Sequence, residues 1–252
     1  MSEVLLPLEA AAAPSSAAEF IAGLRLDARS PHTGRPRVVA AMIGAADGRA
    51  TVDGGASGLG SAADRDVLRE LRTACDALLV GPGTLIAEQY ATVLDPPQRA
   101  RRLARGVPAE PLVATITRRG DARLADVPLF AERDLRIQVY TEADPPPDLD
   151  RGAELAVHQS PAGSLTPAAA LAHLHGARDV QSVLCEGGPS LLHDLIGAGL
   201  IDDLILTLAP VLVAGDGRSI VNGELFDPPV RFALDGVLRA VDHLFLHYVP
   251  AR

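Results

Sequence analysis

From residue 37 to 45 the chain reads RVVAAMIGA, an apolar run without polar alternation, which is the pattern of a strand covered on both faces. A glycine-rich loop, ADGRATVDGGASGLG, follows. Ser61 then precedes an acid at Asp64 and a stripe of Val67, Leu68, Leu71 and Cys75, which predicts a capped amphipathic helix. DALLVG (76–81) reads as a second strand, and GPGTLIAE opens a short helix. PLVATIT (111–117), RIQVYT (136–141) and ELAVHQ (154–159) are further strands, with DPPPD in the loop between the last two. Thr166-Pro167 starts a helix to about His175. The strand VQSVLCEGG, the helix PSLLHDLIGAG and the long strand DDLILTLAPVLVAG form a β-α-β unit, and LRAVDHLFLHYVP forms one final strand.

This alternation predicts an α/β fold with a mostly parallel central sheet, helices on both faces and late strands that pair antiparallel. Residues 1–36 read as an N-terminal arm, with a short helix around Ser16 to Leu24 ahead of the turn-rich DARSPHTGRP; residues 37–252 form one domain without internal repeats. Ligands in such folds gather at the carboxyl ends of the strands. Glycine-bearing loops fall at such ends after Ala45, after Val80 and after Cys185.

Composition narrows the chemistry. All 23 basic residues are arginine, which excludes a Schiff-base lysine and a P-loop of the G-x-x-x-x-G-K-[ST] type. The net charge of −9 argues against nucleic acid or anionic membrane as a partner, so any phosphate is held locally. No apolar window reaches the roughly eighteen residues of a membrane span, and MSEVLLPLEA lacks the basic start of a signal peptide; the expected location is cytoplasmic. Cys75 and Cys185 lie in apolar segments and read as buried thiols.

GPGT (81–84) lacks the third glycine of a dinucleotide fingerprint, yet Gly81, Gly83 and the Thr84 hydroxyl at a helix start present several donors to one anion. EGGPSLL (186–192) repeats that chemistry at another strand end, and two such turns suit a dinucleotide. A tight strand-to-helix turn is the competing explanation of the EGGP stretch. His173, His175, His243 and His247 lack the spacing and partners of a metal site, so no metal is expected. Ser190 does not sit in a G-x-S-x-G elbow, which disfavours a hydrolase.

The ordered set AAMIGAADGRAT, LRTACDALLVGPGT and VLCEGGPSLLHDLIGAGLIDDLILTLAPVLVAG resembles the pyrimidine reductases of riboflavin biosynthesis, which share the dihydrofolate reductase-like fold. The resemblance covers nearly all of 37–215. It implies NADPH-dependent reduction of a 5-amino-6-(5-phosphoribosylamino)uracil-type pyrimidine to its ribitylamino form, carried out by a homodimer. It places Ile43, Leu59, Thr84, Glu88 and Thr117 near the nicotinamide cofactor, together with Gly187, Gly188, Pro189, Ser190, Leu191 and Leu192. Ser57, Arg72 and Glu186 match positions on the substrate side, and Asp47 matches the acid of the family's Ser-Leu-Asp-Gly loop, here Ala45-Ala46-Asp47-Gly48. Two departures stand out. Leu59 replaces the usual tryptophan, and AEQYATVLDPPQRARR replaces an Asp-Asn-Pro segment whose arginine ordinarily holds the substrate phosphate; Arg99, Arg101 and Arg102 are the candidates to replace it.

The implied reaction opens a ribosylamino sugar to an imine and delivers hydride to C1′, so two reactants are held in line and a proton is supplied. Glu186, Glu88 and Asp47 are the candidate catalytic carboxyls, against helix capping for Glu186 and turn bracing for Asp47. The competing functions are reduction of another pterin or pyrimidine such as dihydrofolate, and a non-catalytic NADP-binding module.

Overall fold

The computed structural model describes residues 16–52, 55–56 and 58–251. Among these residues nine strands form one sheet: β1 (Arg37–Ala45), β2 (Ala77–Leu79), β3 (Leu112–Ile116), β4 (Arg136–Thr141), β5 (Glu154–Gln159), β6 (Ser182–Cys185), β7 (Asp203–Ala209), β8 (Phe232–Ala240) and β9 (His243–Pro250). Their spatial order is β5-β4-β3-β2-β6-β1-β7-β9-β8. Every pairing from β5 across to β7 is parallel, while β9 runs antiparallel to both β7 and β8. The fold is dihydrofolate reductase-like, with the expected mixture of parallel core and antiparallel C-terminal strands.

The unbroken apolar character of β1 follows from burial on both faces. Val39 joins a core with Val67 and Leu71 of α2 (Ala62–Ala74), Leu85 of α3 (Pro82–Glu88) and Ile21 of α1 (Ala17–Gly23). Its neighbours Val38 and Ala40 point the other way, into a second core with Leu171 and Leu174 of α5 (Pro167–Arg178) and Leu192 and Leu195 of α6 (Pro189–Gly197). The segment read as an arm therefore has a described part that packs on the domain: Ile21, Leu24 and Leu26 are buried in the same core as Leu71.

Three expectations from the sequence are corrected. The long strand after Asp202 stops at Ala209, because Pro210 brings no N–H to a ladder. The single final strand is a hairpin, since Val241 turns at φ +55° between β8 and β9. The AEQYATVLDPPQRARR stretch contains a helix, α4 (Pro96–Ala104), opened by a capping box in which Asp95 accepts from the Gln98 N–H and Gln98 in turn accepts from the Asp95 N–H. The three arginines considered for a phosphate lie on α4 and are committed elsewhere. Arg102, 1% exposed, donates to the carbonyls of Thr73, Cys75 and Pro108 at 3.0, 2.6 and 2.9 Å. Arg99 pairs with Glu110, and Arg101 pairs with Glu70 at 2.8 Å. They fasten α4 to the fold.

The opposite, amino-terminal end of the sheet is tied by charge. Asp202 accepts from Arg35, from His32 and from the Val38 N–H, and Asp203 accepts from Arg37 at 2.7 Å with His247 Nε2 at 2.8 Å. Burial alone would raise the Asp203 carboxyl, but hydrogen bonds from His247 and Arg37 outweigh it and hold the group below the usual carboxylate range. A carboxyl depressed on folding contributes stability that is complete above its unfolded pKa, about 3.9, and is lost as pH falls through the lower folded value. Asp203→Asn should accordingly lower stability at neutral pH and flatten the acid limb below about pH 4, as read by urea unfolding across pH; an unchanged acid limb would show that Asp203 does not set it.

Candidate active site

Two glycine turns far apart in sequence form one surface. β2 and β6 are parallel neighbours, so GPGT and EGGP leave the sheet side by side, each feeding a helix with proline in its first turn, α3 and α6. The Gly81 N–H donates to the Gly187 carbonyl at 2.7 Å. A Cβ on Gly81 would sit 2.9 Å from the Gly188 backbone nitrogen, and one on Gly188 would sit 2.9 Å from Thr84 Oγ1. Gly187 holds φ +85° with its α-carbon turned toward Met42, a conformation that favours glycine. Neither helix start has a side-chain cap. Proline brings no N–H and the Thr84 N–H already donates to the Gly81 carbonyl at 3.0 Å, while the first-turn N–H groups beyond these face the end of the helix where the macrodipole favours an anion.

Beside this cradle, Glu186 leaves β6 on the face that carries α2. Arg72 grips it in a bidentate pair, with Nε to Oε1 and Nη2 to Oε2 both at 2.6 Å. Tyr90 donates its hydroxyl to Oε2 at 2.6 Å and lies under the guanidinium, 5.3 Å from ring centroid to Cζ. The Glu186 side chain is 3% exposed and that of Arg72 16%. Burial would lower the Arg72 guanidinium, but the Glu186 charge more than compensates and pushes it up. Burial and the same carboxylate push the Tyr90 phenol well up, which keeps it a donor. Tyr90 was missed in the sequence, although it lies where the resemblance breaks down, in AEQYATV.

The other predicted residues divide. Thr84 lies at the cradle, with Gly83, Pro189, exposed Ser190 and half-buried Leu191 on its two helix starts. Ile43 lines a pocket beneath α2. Ser57 lies outside the described residues. Leu192 and Leu59 are 0% and 1% exposed; their side chains serve the core instead of facing a ligand, Leu192 under α6 and Leu59 against Ala45 and Ala209. Thr117 is also buried, its hydroxyl accepting from the Asp121 N–H at 3.1 Å and its carbonyl from Thr141 Oγ1 at 2.8 Å.

Two of the three candidate catalytic carboxyls hold loops in place. Asp47 Oδ2 accepts from the N–H groups of Val213 and Ala214 at 2.9 and 2.7 Å. The Ala214 N–H leads in holding its carboxyl below the usual range. Glu88 accepts from the Ala56 N–H at 3.1 Å and so ties α3 to the loop after β1. The histidines considered for a metal have separate partners: His173 meets Tyr140, His175 the Val180 carbonyl, His243 the Leu59 carbonyl and His247 Asp203. Cys75 and Cys185 are free and buried; burial pushes both thiols up, Cys185 to about 12.

An anion cradle at paired strand ends, flanked by a buried Arg-Glu-Tyr cluster, can bind a phosphorylated cofactor beside a polar second ligand. The chain is 28% identical over 202 residues to the 2,5-diamino-6-ribosylamino-4(3H)-pyrimidinone 5′-phosphate reductase of Methanothermobacter thermautotrophicus, covering 77% of this chain and 87% of that one. It is 31% identical over 220 residues to the riboflavin biosynthesis protein RibD of Mycobacterium tuberculosis, covering 86% of this chain but 55% of that relative's length. In structure it is similar to a pyrimidine reductase-like protein of Corynebacterium diphtheriae, with a TM-score of 0.76, 24% identity and coverage of 94% and 99% of the two chains. The profile of the RibD C-terminal domain matches residues 36–244, a span that takes in both glycine turns and the Arg72-Glu186 pair, and the chain belongs to that family.

Proposed function

We propose that this protein is an NADPH-dependent reductase of riboflavin biosynthesis that converts a 5-amino-6-(5-phosphoribosylamino)pyrimidine, of the uracil type or its 2-amino counterpart, to the ribitylamino form. The observation that carries this reading is the fused cradle of Gly81 and Gly188 next to the Arg72-Glu186-Tyr90 cluster. The close approach of the two turns fits a phosphorylated cofactor, because the backbone is bare where a Cβ would obstruct it. When bound, the nicotinamide supplies hydride to C1′ of the opened sugar.

The first turns of α3 and α6 hold the cofactor phosphates, and Thr84 adds a hydroxyl between them. Glu186, fixed by three hydrogen bonds, presents a rigid polar wall to the substrate and cannot swing out without stranding Arg72. Glu88 and Asp47 tie down the loops that start from β1 and follow β7.

A cytoplasmic homodimer is the form we infer. Two buried thiols fit a reducing compartment. Strand β8 forms the edge of the sheet with Leu234 55% exposed, near Val230 at 43%, and an open apolar edge invites pairing. NADPH oxidation with the phosphoribosylamino-pyrimidine should proceed at turnovers on the order of 1 per second or faster. Absence of turnover together with consumption of dihydrofolate would replace this reading.

A further inference from the structure

Residues 210–231 join β7 to β8 without forming a helix or a strand of the sheet, and their middle part, 217–226, links the loop after β1 to the start of α6. At the β1 end the Ala50 N–H donates to the Arg218 carbonyl at 2.8 Å and the Arg49 guanidinium donates to the Gly217 carbonyl. Ile220 covers Gly44 so closely that a Cβ there would stand 3.0 Å from Ile220 Cγ2. At the other end the segment lies along the first turn of α6. The Asn222 N–H donates to the Pro189 carbonyl at 3.2 Å, and one turn on, His193 Nε2 meets the Glu224 carbonyl at 2.8 Å. Because β1 and β6 are parallel neighbours, the segment straddles the carboxyl ends of both.

The two ends are held differently. Near β1 the chain is fixed by backbone hydrogen bonds, by Arg49 and by Asp47, which accepts from the Val213 and Ala214 N–H groups. At α6 one side chain dominates. The His193 ring donates through Nε2, since a carbonyl can only accept, and it stacks on Phe226 with centroids 4.6 Å apart and planes 11° from parallel. Gly223 is pressed against the same ring: a Cβ on it would fall 2.3 Å from His193 Cδ2 and Cγ, although its backbone is not left-handed. What requires glycine at 223 is therefore the ring. Segments held by few buried contacts open first, so the α6 end is the one that opens.

Resting on the cofactor reading above, we propose that 217–226 is a strap that His193 latches onto α6, and that the latched strap sets how fast the nicotinamide cofactor leaves. His193 is a positioning residue in this role and acts through the backbone of α6. Pro189 opens that helix directly after Gly187 and Gly188, so a strap fastened to Pro189 and His193 holds the α6 half of the cradle against the Gly81 half. Once it is released, the α6 turn is free to draw back from a bound phosphate, and loop opening of this kind gates release in many enzymes. The dependence is mutual: if the latched form binds cofactor more tightly, cofactor closes the strap by the same factor.

The peptide bond after Glu224 is one that a glutamyl endopeptidase cuts, and its carbonyl is the one His193 holds, so cleavage there reads the open strap. In the full chain, saturating NADPH should slow that cleavage by about fivefold or more, the lower range of coupling between two sites. His193→Ala should speed the cut and raise the NADPH dissociation rate, followed by the cofactor's own fluorescence in stopped flow, by about tenfold. Gly223→Ala should do the same by expelling the ring, and the double variant should be no faster than His193→Ala, because the methyl then has room. Leu225→Ser, at a residue 90% exposed, should leave dissociation unchanged. An unaltered dissociation rate in His193→Ala, or effects that multiply in the double variant, would overturn the proposal. Failure of the parent to bind NADPH would sink the cofactor reading and, with it, the role of the strap in release. The latch is then read by cleavage after Glu224 alone: a faster cut in His193→Ala and Gly223→Ala supports it, and a rate equal to the parent's overturns it.

Discussion

Gly81→Ala should raise the Kd for NADPH by at least about tenfold and lower the melting temperature by roughly 5 °C, while Gly83→Ala two residues away should do neither. The added methyl on Gly81 would stand 2.9 Å from the Gly188 backbone nitrogen, and at Gly83 it would meet nothing within 4 Å. The obstructing atom is backbone, so no side-chain rotation relieves the contact. The turns must separate, breaking the Gly81 to Gly187 hydrogen bond. Overpacking of this kind costs about 1–3 kcal/mol, and for a domain of this size each kcal/mol moves the midpoint by roughly 2–4 °C. Gly188→Val meets the Thr84 side chain instead, which can turn aside, so its larger effect should be on cofactor KM. Isothermal titration and thermal unfolding of the variants separate these outcomes; unchanged NADPH affinity in Gly81→Ala would remove the two turns from the cofactor site.

Arg72→Ala should be the most damaging change away from the glycines. It would leave a nearly inaccessible Glu186 carboxylate with Tyr90 as its remaining side-chain donor. Removing one partner of a buried pair costs about 3–5 kcal/mol, so a fall in melting temperature on the order of 10 °C is expected. Arg72→Lys should not restore the parent, because an ammonium cannot reproduce the two parallel hydrogen bonds of the guanidinium. Tyr90→Phe keeps the ring under Arg72 and loses only one hydroxyl donor to the Glu186 carboxylate, a change of about 1.5–3 kcal/mol for a hydrogen bond to a charged group. Thermal unfolding with turnover assays would check the series. Stability of Arg72→Ala equal to that of the parent would mean that the pair contributes nothing net to the fold.

Local pattern alone reached the boundaries of β1, β4 and β5, because apolar runs between turn formers have few other solutions. It also reached the start of α2, since Ser61 and Asp64 carry their capping signal within one turn. Helix α4 is equally legible in Asp95-Pro-Pro-Gln98, a capping box with proline behind it, in a stretch that the family resemblance reads as a substrate loop. The terminal hairpin was not legible, because Val241 adopts a left-handed conformation that a β-branched residue rarely signals.

The sequence by itself determined the alternation of elements, the doubly covered strands and the presence of two glycine turns suited to phosphate, all of which depend on neighbours within a few residues. Only the tertiary structure decided that the two turns form a single cradle, because that follows from β2 lying beside β6, an adjacency between segments about a hundred residues apart that no local periodicity records. The same holds for the carboxyls. Asp47 and Glu88 brace loops, Glu186 is locked by Arg72 and Tyr90, and Asp64, which reads as part of a cap, ends in a pocket. What an acid does is set by the groups that fold against it, and those come from other strands.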